Sequence, residues 1–105
     1  MLMAIASDTI TVWHNTGTPK QVQWIRIVVS GCRIDWVVGY MPAGVGPTAQ
    51  NTMKAYLFKR LDIVAGDRIA VRVDDSEIPP HDSMRVATVA VWCDGGRFHH
   101  MEVSA

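Results

Sequence analysis

Metal chemistry needs ligands that converge from separate elements, and the side chains able to do this are His14, His81, His99, His100, Cys32 and Cys93. Their spacing does not support a site. There is no C-x-x-C or H-x-x-x-H pair, and His99 and His100, adjacent on an extended strand, are expected to point to opposite faces and so cannot chelate together. The expectation is no metal and no cofactor, with one histidine against the core and the other in water or at a subunit contact. Cys32 and Cys93 each sit in an apolar run and read as small buried thiols rather than a disulfide.

Nucleophilic catalysis would need a serine in a G-x-S-x-G turn, an activated cysteine or paired carboxylates. Asp74, Asp75 and Glu77 are close in sequence but lie beside Pro79-Pro80, where acids mainly solubilise an exposed segment. Gly44-Val45-Gly46 fails as a phosphate cradle, because Pro47 lacks an amide donor and no helix follows. The chain reads as a non-enzyme.

Four tryptophans, Trp13, Trp24, Trp36 and Trp92, are the largest recognition groups available. A small barrel has room for about two such rings, so the others are expected at subunit contacts, where tryptophan is enriched. Stacking on single-stranded bases is the competing use, and it normally comes with a basic groove.

The elements that must hold these residues are strands. Apolar positions recur with period two and are rich in Val, Ile and Trp. Asp8 to Asn15 alternates and stops at the turn cluster Asn15-Thr16-Gly17-Thr18-Pro19. Gln21 to Ser30 changes phase near Trp24 and Ile25, which predicts a bulge or a change from one-sided to two-sided burial there. Gly31 breaks the run before Ile34, Trp36 and Val38, and a hairpin is expected at that glycine.

Gly39 to Asn51, with Pro42, Gly44, Gly46 and Pro47, reads as a mobile surface loop. Thr52 to Leu61 favours a strand over a helix, and Gly66 to Val73 is a strand following the turn at Ala65-Gly66-Asp67. Asp74 to Met84 is a second long loop, containing Asp75, Glu77, Pro79 and Pro80. Arg85 to Asp94 and Arg97 to Val103 form a C-terminal hairpin around Gly95-Gly96. The expected fold is all-β, a small single-domain barrel or sandwich over residues 1–105 with six or seven strands and two long loops.

Length and charge set outer limits. The chain has 105 residues with ten basic and ten acidic side chains, a formal charge of zero. A chain this size holds one modest core. Neutrality removes the sequence-independent attraction to phosphate unless the cations gather on one face, and they are scattered. Met1 to Ser7 is short, without a basic leader, so neither signal peptide nor membrane span is expected and the protein reads as intracellular.

Four segments occur in a recognisable order: Asp8-Thr9-Ile10-Thr11-Val12-Trp13, the early Trp24, Leu61 to Val71 with its central Gly66-Asp67, and Gly96 to Val103. Together they resemble small minor capsid or head-closure proteins of tailed bacteriophages. The resemblance implies a structural virion subunit, present in the host cytoplasm during assembly, that forms a homo-oligomeric ring between portal and tail. Its partners would be copies of itself, the portal or adaptor and tail-completion proteins, with transient contact to packaged DNA and no membrane. It also implies that Gly66 and Asp67 form a structural turn and that Trp13 and Trp24 pack the barrel. The two long loops would reach neighbouring subunits or the channel. This sequence departs from many members after the Gly-Asp strand, continuing Val71-Arg72-Val73 where they carry a further glycine. An oligonucleotide-binding barrel is the alternative, and it predicts Lys20, Arg26, Arg33 and Arg72 on one face.

Overall fold

The computed structural model describes the backbone of residues 7–43 and 46–105 and the side chains of 7–36 and 52–105. Seven strands follow in order: β1 Asp8–Asn15, β2 Trp24–Ala43, β3 Gly46–Leu57, β4 Arg68–Ala70, β5 Met84–Arg85, β6 Thr88–Asp94 and β7 Arg97–Ser104. All pairings are antiparallel, and the spatial order is β5-β4-β1-β2-β3-β7-β6. The sheet curls into a half-barrel. The all-β architecture expected from the period-two pattern is therefore the one observed.

The core lies on the concave side. Ile10 and Val12 of β1, Val29 of β2, Leu57 of β3, Ile69 of β4 and Val103 of β7 meet there with Ile63 and Val86 from the connections. Burying each such side chain contributes about 1.5–3 kcal/mol of transfer free energy. Val86 also carries the chain between the two ends of the sheet. Its N–H donates to the Asp67 carbonyl, and the next residue, Ala87, donates to the Ser104 carbonyl.

The long strand β2 departs most from expectation. No hairpin forms at Gly31; the strand continues through it. Its first half pairs with β1 and its second half with β3. Between the partners Asp8↔Cys32 and Ile10↔Val29, β2 has one residue more than β1, which defines a bulge at Ser30-Gly31. Gly31 takes a φ of 70° there, a conformation that a side chain would penalise. The bulge predicted at Trp24 and Ile25 is absent, since His14↔Ile25 and Asn15↔Trp24 pair in unbroken register. Nor is β2 buried on both sides there, since Ile25 is 51% and Val28 43% exposed; the phase change reflects apolar side chains left on the surface.

Gly39 to Asn51 is also corrected. The β2–β3 ladder continues to Pro42↔Pro47 and Ala43↔Gly46, so Pro42, Gly46 and Pro47 lie in strands. Gly44 lies outside the described residues. A hairpin satisfies its own backbone groups without needing an apolar composition, which is why hydrophobicity alone misread this stretch.

Other boundaries moved less. The strand expected over Gly66 to Val73 covers only Arg68–Ala70, and Val73 is 67% exposed because the chain leaves the sheet after Ala70. Arg85 to Asp94 is split by the crossing at Val86-Ala87 into β5 and β6. The C-terminal hairpin has the expected turn, with Gly95 and Gly96 at φ 60° and 83°.

Candidate functional site

The convex side of β1 and β4 is covered by residues 71–83, while Val28 of β2, beside Thr11, stays 43% exposed. Thr11 and Trp13, which point away from the half-barrel core, are both 0% exposed because this segment lies on them. Its attachment is specific. The Trp13 indole N–H donates to the Ser76 carbonyl at 2.8 Å, and the Thr11 hydroxyl donates to the Arg72 carbonyl at 2.7 Å while accepting from the Asp74 N–H at 3.0 Å. Arg26 donates to the Asp74 carbonyl at 2.9 Å. The Arg68 guanidinium holds the Ser83 hydroxyl and carbonyl.

Charge completes the clamp. Arg72 donates to Asp74 at 3.0 Å and to both carboxylate oxygens of Asp82, at 3.1 and 2.8 Å. Hydrogen bonds from Ser76, then from Arg72, hold the Asp74 carboxyl below its ordinary value, and Arg72 does the same for Asp82. The second long loop is thus a fitted cover. Within it Asp75 and Glu77 are exposed and Pro79 and Pro80 half-buried.

Gly66 and Asp67 shape the approach to β4. Gly66 has a φ of 98°. Asp67 is 1% exposed, and its carboxylate accepts from the Val64 N–H at 3.0 Å, the Asn15 N–H at 3.2 Å and the His14 Nδ1–H at 2.7 Å. Three donors converging on one buried carboxylate tie the turn to the end of β1.

Trp24 lies at the start of β2, half-buried, and with Arg68, Ile78, Pro79, Pro80 and His81 lines an open cavity of about 440 Å³. Ile78 is 69% exposed at its rim. Trp13 and Trp24 therefore do not fill the half-barrel: the first is buried under the cover and the second lines this groove.

The other end of the sheet, β3-β7-β6, carries a different surface. Its convex face presents Tyr56, His100, Glu102 and Trp92, with Phe58 beyond the end of β3. Trp92 stacks on His100 with centroids 6.0 Å apart and planes 6° from parallel. The His100 ring also lies 6.1 Å from Tyr56 and 6.4 Å from Phe58. Trp92 is 53% and Phe58 52% exposed. Arg33 sits 5.8 Å over the Tyr56 ring and bonds Asp35, while Lys54 lies 3.3 Å from Glu102.

The two neighbouring histidines contradict the expectation of opposite faces. Trp92 pairs with His100 and Cys93 with Phe98, so His99 is the extra residue of a bulge in β7. The bulge brings the rings edge to face, 4.9 Å apart, with Nδ1 to Nδ1 at 2.7 Å. His100 Nε2–H donates to Glu102 at 3.0 Å, leaving its Nδ1 to accept from His99 Nδ1–H. The His100 bond, followed by Lys54, lowers the Glu102 carboxyl below its ordinary value. Among the described residues no group of three or more His, Cys, Asp or Glu is placed to hold a metal ion.

The thiols are not alike. Cys32 is 0% exposed, and burial, aided by the Asp8 charge, pushes it up to about 11. Cys93, expected buried, is exposed near the tip of the β6–β7 hairpin, where β3 has already ended at Leu57. Trp36 is likewise 55% exposed. Beyond Trp36 and Met53 the arms of β2 and β3 pair only with each other among the described residues, over about 24 Å of strand.

The sequence singled out the four tryptophans and the turn, but missed Tyr56, Phe58, His100 and Glu102 as one cluster. Their period-two phase on β3 and β7 was legible; the pairing of those strands was not. Compared with protein-family models, curated proteins and solved structures, the chain matches none.

Proposed function

We propose that this protein is a structural virion subunit, a head-closure or head-to-tail connector component of a tailed bacteriophage that assembles as a ring of identical copies. The reading starts from the ordered resemblance in Asp8 to Trp13, Trp24, Leu61 to Val71 and Gly96 to Val103. One observation supports it most. The two-stranded arm at the far end of β2 and the Trp24 groove at its near end are a projection and a recess on opposite ends of one strand. A contact between unlike surfaces on opposite sides of a molecule repeats head to tail and closes into a ring when the rotation permits. An isolated two-stranded ladder is marginal in water, so an arm of this kind gains stability by seating on a neighbour. Portal, adaptor and tail-completion proteins would bind above and below such a ring.

The test is made on particles. Mass spectrometry of purified tailed virions is expected to find the chain, and deletion of Pro42 to Pro47 is expected to leave filled heads without joined tails. Normally tailed particles after that deletion count against the arm as the joining element.

The exposed aromatic face favours a second reading, an oligonucleotide-binding surface on which bases stack. Two of its cations are already occupied: Lys54 pairs with Glu102 and Arg33 with Asp35. Arg26, on the first half of β2, and Arg72, in the covering segment, are both bonded to Asp74. Filter binding of single strands at low salt separates the two readings, and retention that falls steeply with salt would favour this one.

A further inference from the structure

β6 closes one end of the sheet, and the edge it turns away from β7 has no strand beside it among the described residues. Native edges of this length are normally blunted by lysine, proline, a bulge in the edge strand itself or a covering segment. β6 has none of these: it reads Thr88-Val89-Ala90-Val91-Trp92-Cys93-Asp94, and the bulge of this hairpin falls on β7. Val91 is 43% and Trp92 53% exposed.

We infer that a second copy of this chain pairs with that edge, β6 antiparallel to β6, about a two-fold axis through Val91. The strand is complementary to itself in this register. Ala90 falls opposite Trp92 of the other copy, so each exposed indole covers a methyl-sized notch. Val89 falls opposite Cys93, and Val91 opposite Val91.

Charge agrees with the same arrangement. Asp94 carries the only charge on the strand, and the two-fold sets the two copies of it at opposite ends, about 20 Å apart. Each then lies across from Thr88, with Arg85 three residues earlier in the same copy. No like charges face one another, whereas a Lys or Glu at position 91 would meet its own image. Pairing also extends the aromatic face across the join, from Tyr56, His100 and Trp92 of one copy onto Ala90 of the next.

One strand per copy buries an area at the small end of specific interfaces, under about 1,200 Å² in total, so the dimer is a reversible one. It uses a surface separate from the arm and the groove, and describes the chain before any larger assembly. A virion lacking the protein would sink the connector reading and leave this pairing intact.

Sedimentation velocity and native mass spectrometry of the purified chain provide the test, with V91K and V91E made separately. The wild-type chain is expected to double in mass as concentration rises, while V91K alone and V91E alone stay monomeric. An equimolar mixture of the two variants is expected to form the heterodimer, which also shows that both are folded. In a V91C/C93S chain a short bis-maleimide is expected to link two copies through position 91. A wild-type chain still monomeric at about 1 mM, a V91K chain that dimerises as well as wild type, or a mixture that fails to pair overturns the inference.

Discussion

The two halves of the sheet treat their convex faces in opposite ways. Over β1 and β4 a thirteen-residue segment, 71–83, is fastened down until Trp13 and Thr11 are 0% exposed. Over β3, β7 and β6 nothing among the described residues covers Trp92 or Phe58, each more than half exposed. Both faces carry aromatic rings and hydrogen-bonding side chains, so composition does not separate them. What separates them is the supply of backbone carbonyls: the cover brings Ser76, Arg72, Asp74 and Ser83 to the donors of the first face. On the second, the polar groups satisfy one another and leave the rings open.

Removing the anchor of the closed face has the largest expected effect. Trp13→Ala deletes a fully buried ring and the bond to Ser76, and is expected to lower stability by about 3–5 kcal/mol in urea unfolding. A loss under about 1 kcal/mol would mean that the cover is not seated on Trp13. Asp67→Asn is next: it turns an amide N–H toward positions held by donors, at a cost of about 2–3 kcal/mol, seen as a lowered midpoint in the same assay.

The matching substitution on the open face should be far milder. Trp92→Ala is expected to change stability by no more than about 0.5 kcal/mol, because the ring is already half in water. A large loss there would erase the contrast between the faces.

Acid provides a finer probe of the clamp. Asp74 and Asp82 are held below their ordinary value, so the stability they contribute is fully present above about pH 4 and is lost as the pH falls through their lowered values. Amide exchange of residues 71–83 is expected to stay slow from neutral pH to about 4 and to accelerate, relative to β1, only below it. Loosening that begins near pH 6 would point to histidine instead. The smallest perturbation is thiol labelling at neutral pH, in which Cys93 is expected to react and Cys32, pushed up to about 11 inside the core, to remain unmodified until the protein unfolds.

How far these faces were readable in the sequence follows from which signals are local. The period-two pattern marks β1 and β7, and Gly95-Gly96 marks the last turn, because strand alternation and positive φ are properties of neighbouring residues. Gly31 breaks the alternation, but a glycine at positive φ serves a bulge and a turn equally, and only the partner strands decide between them. The burial of Trp13 depends on Ser76, 63 positions away, a relation no periodicity records. The neighbouring rings of His99 and His100 were misjudged for the same reason, since the bulge that brings them together is a mismatch between two strands. The cluster of Tyr56, Phe58, Trp92 and His100 required strand order, which alternation alone leaves open.

Because β2 belongs to both halves of the sheet, with only the Gly31 bulge between them, its two ends are joined by continuous main chain. A pull on the outer arm therefore travels along one backbone to the Trp24 end. It meets the ladder with β1 lengthwise, straining many hydrogen bonds together instead of peeling them off singly. A part built this way resists tension far better than a stack of separate hairpins, and the place to watch it yield under load is the one glycine where the strand bends.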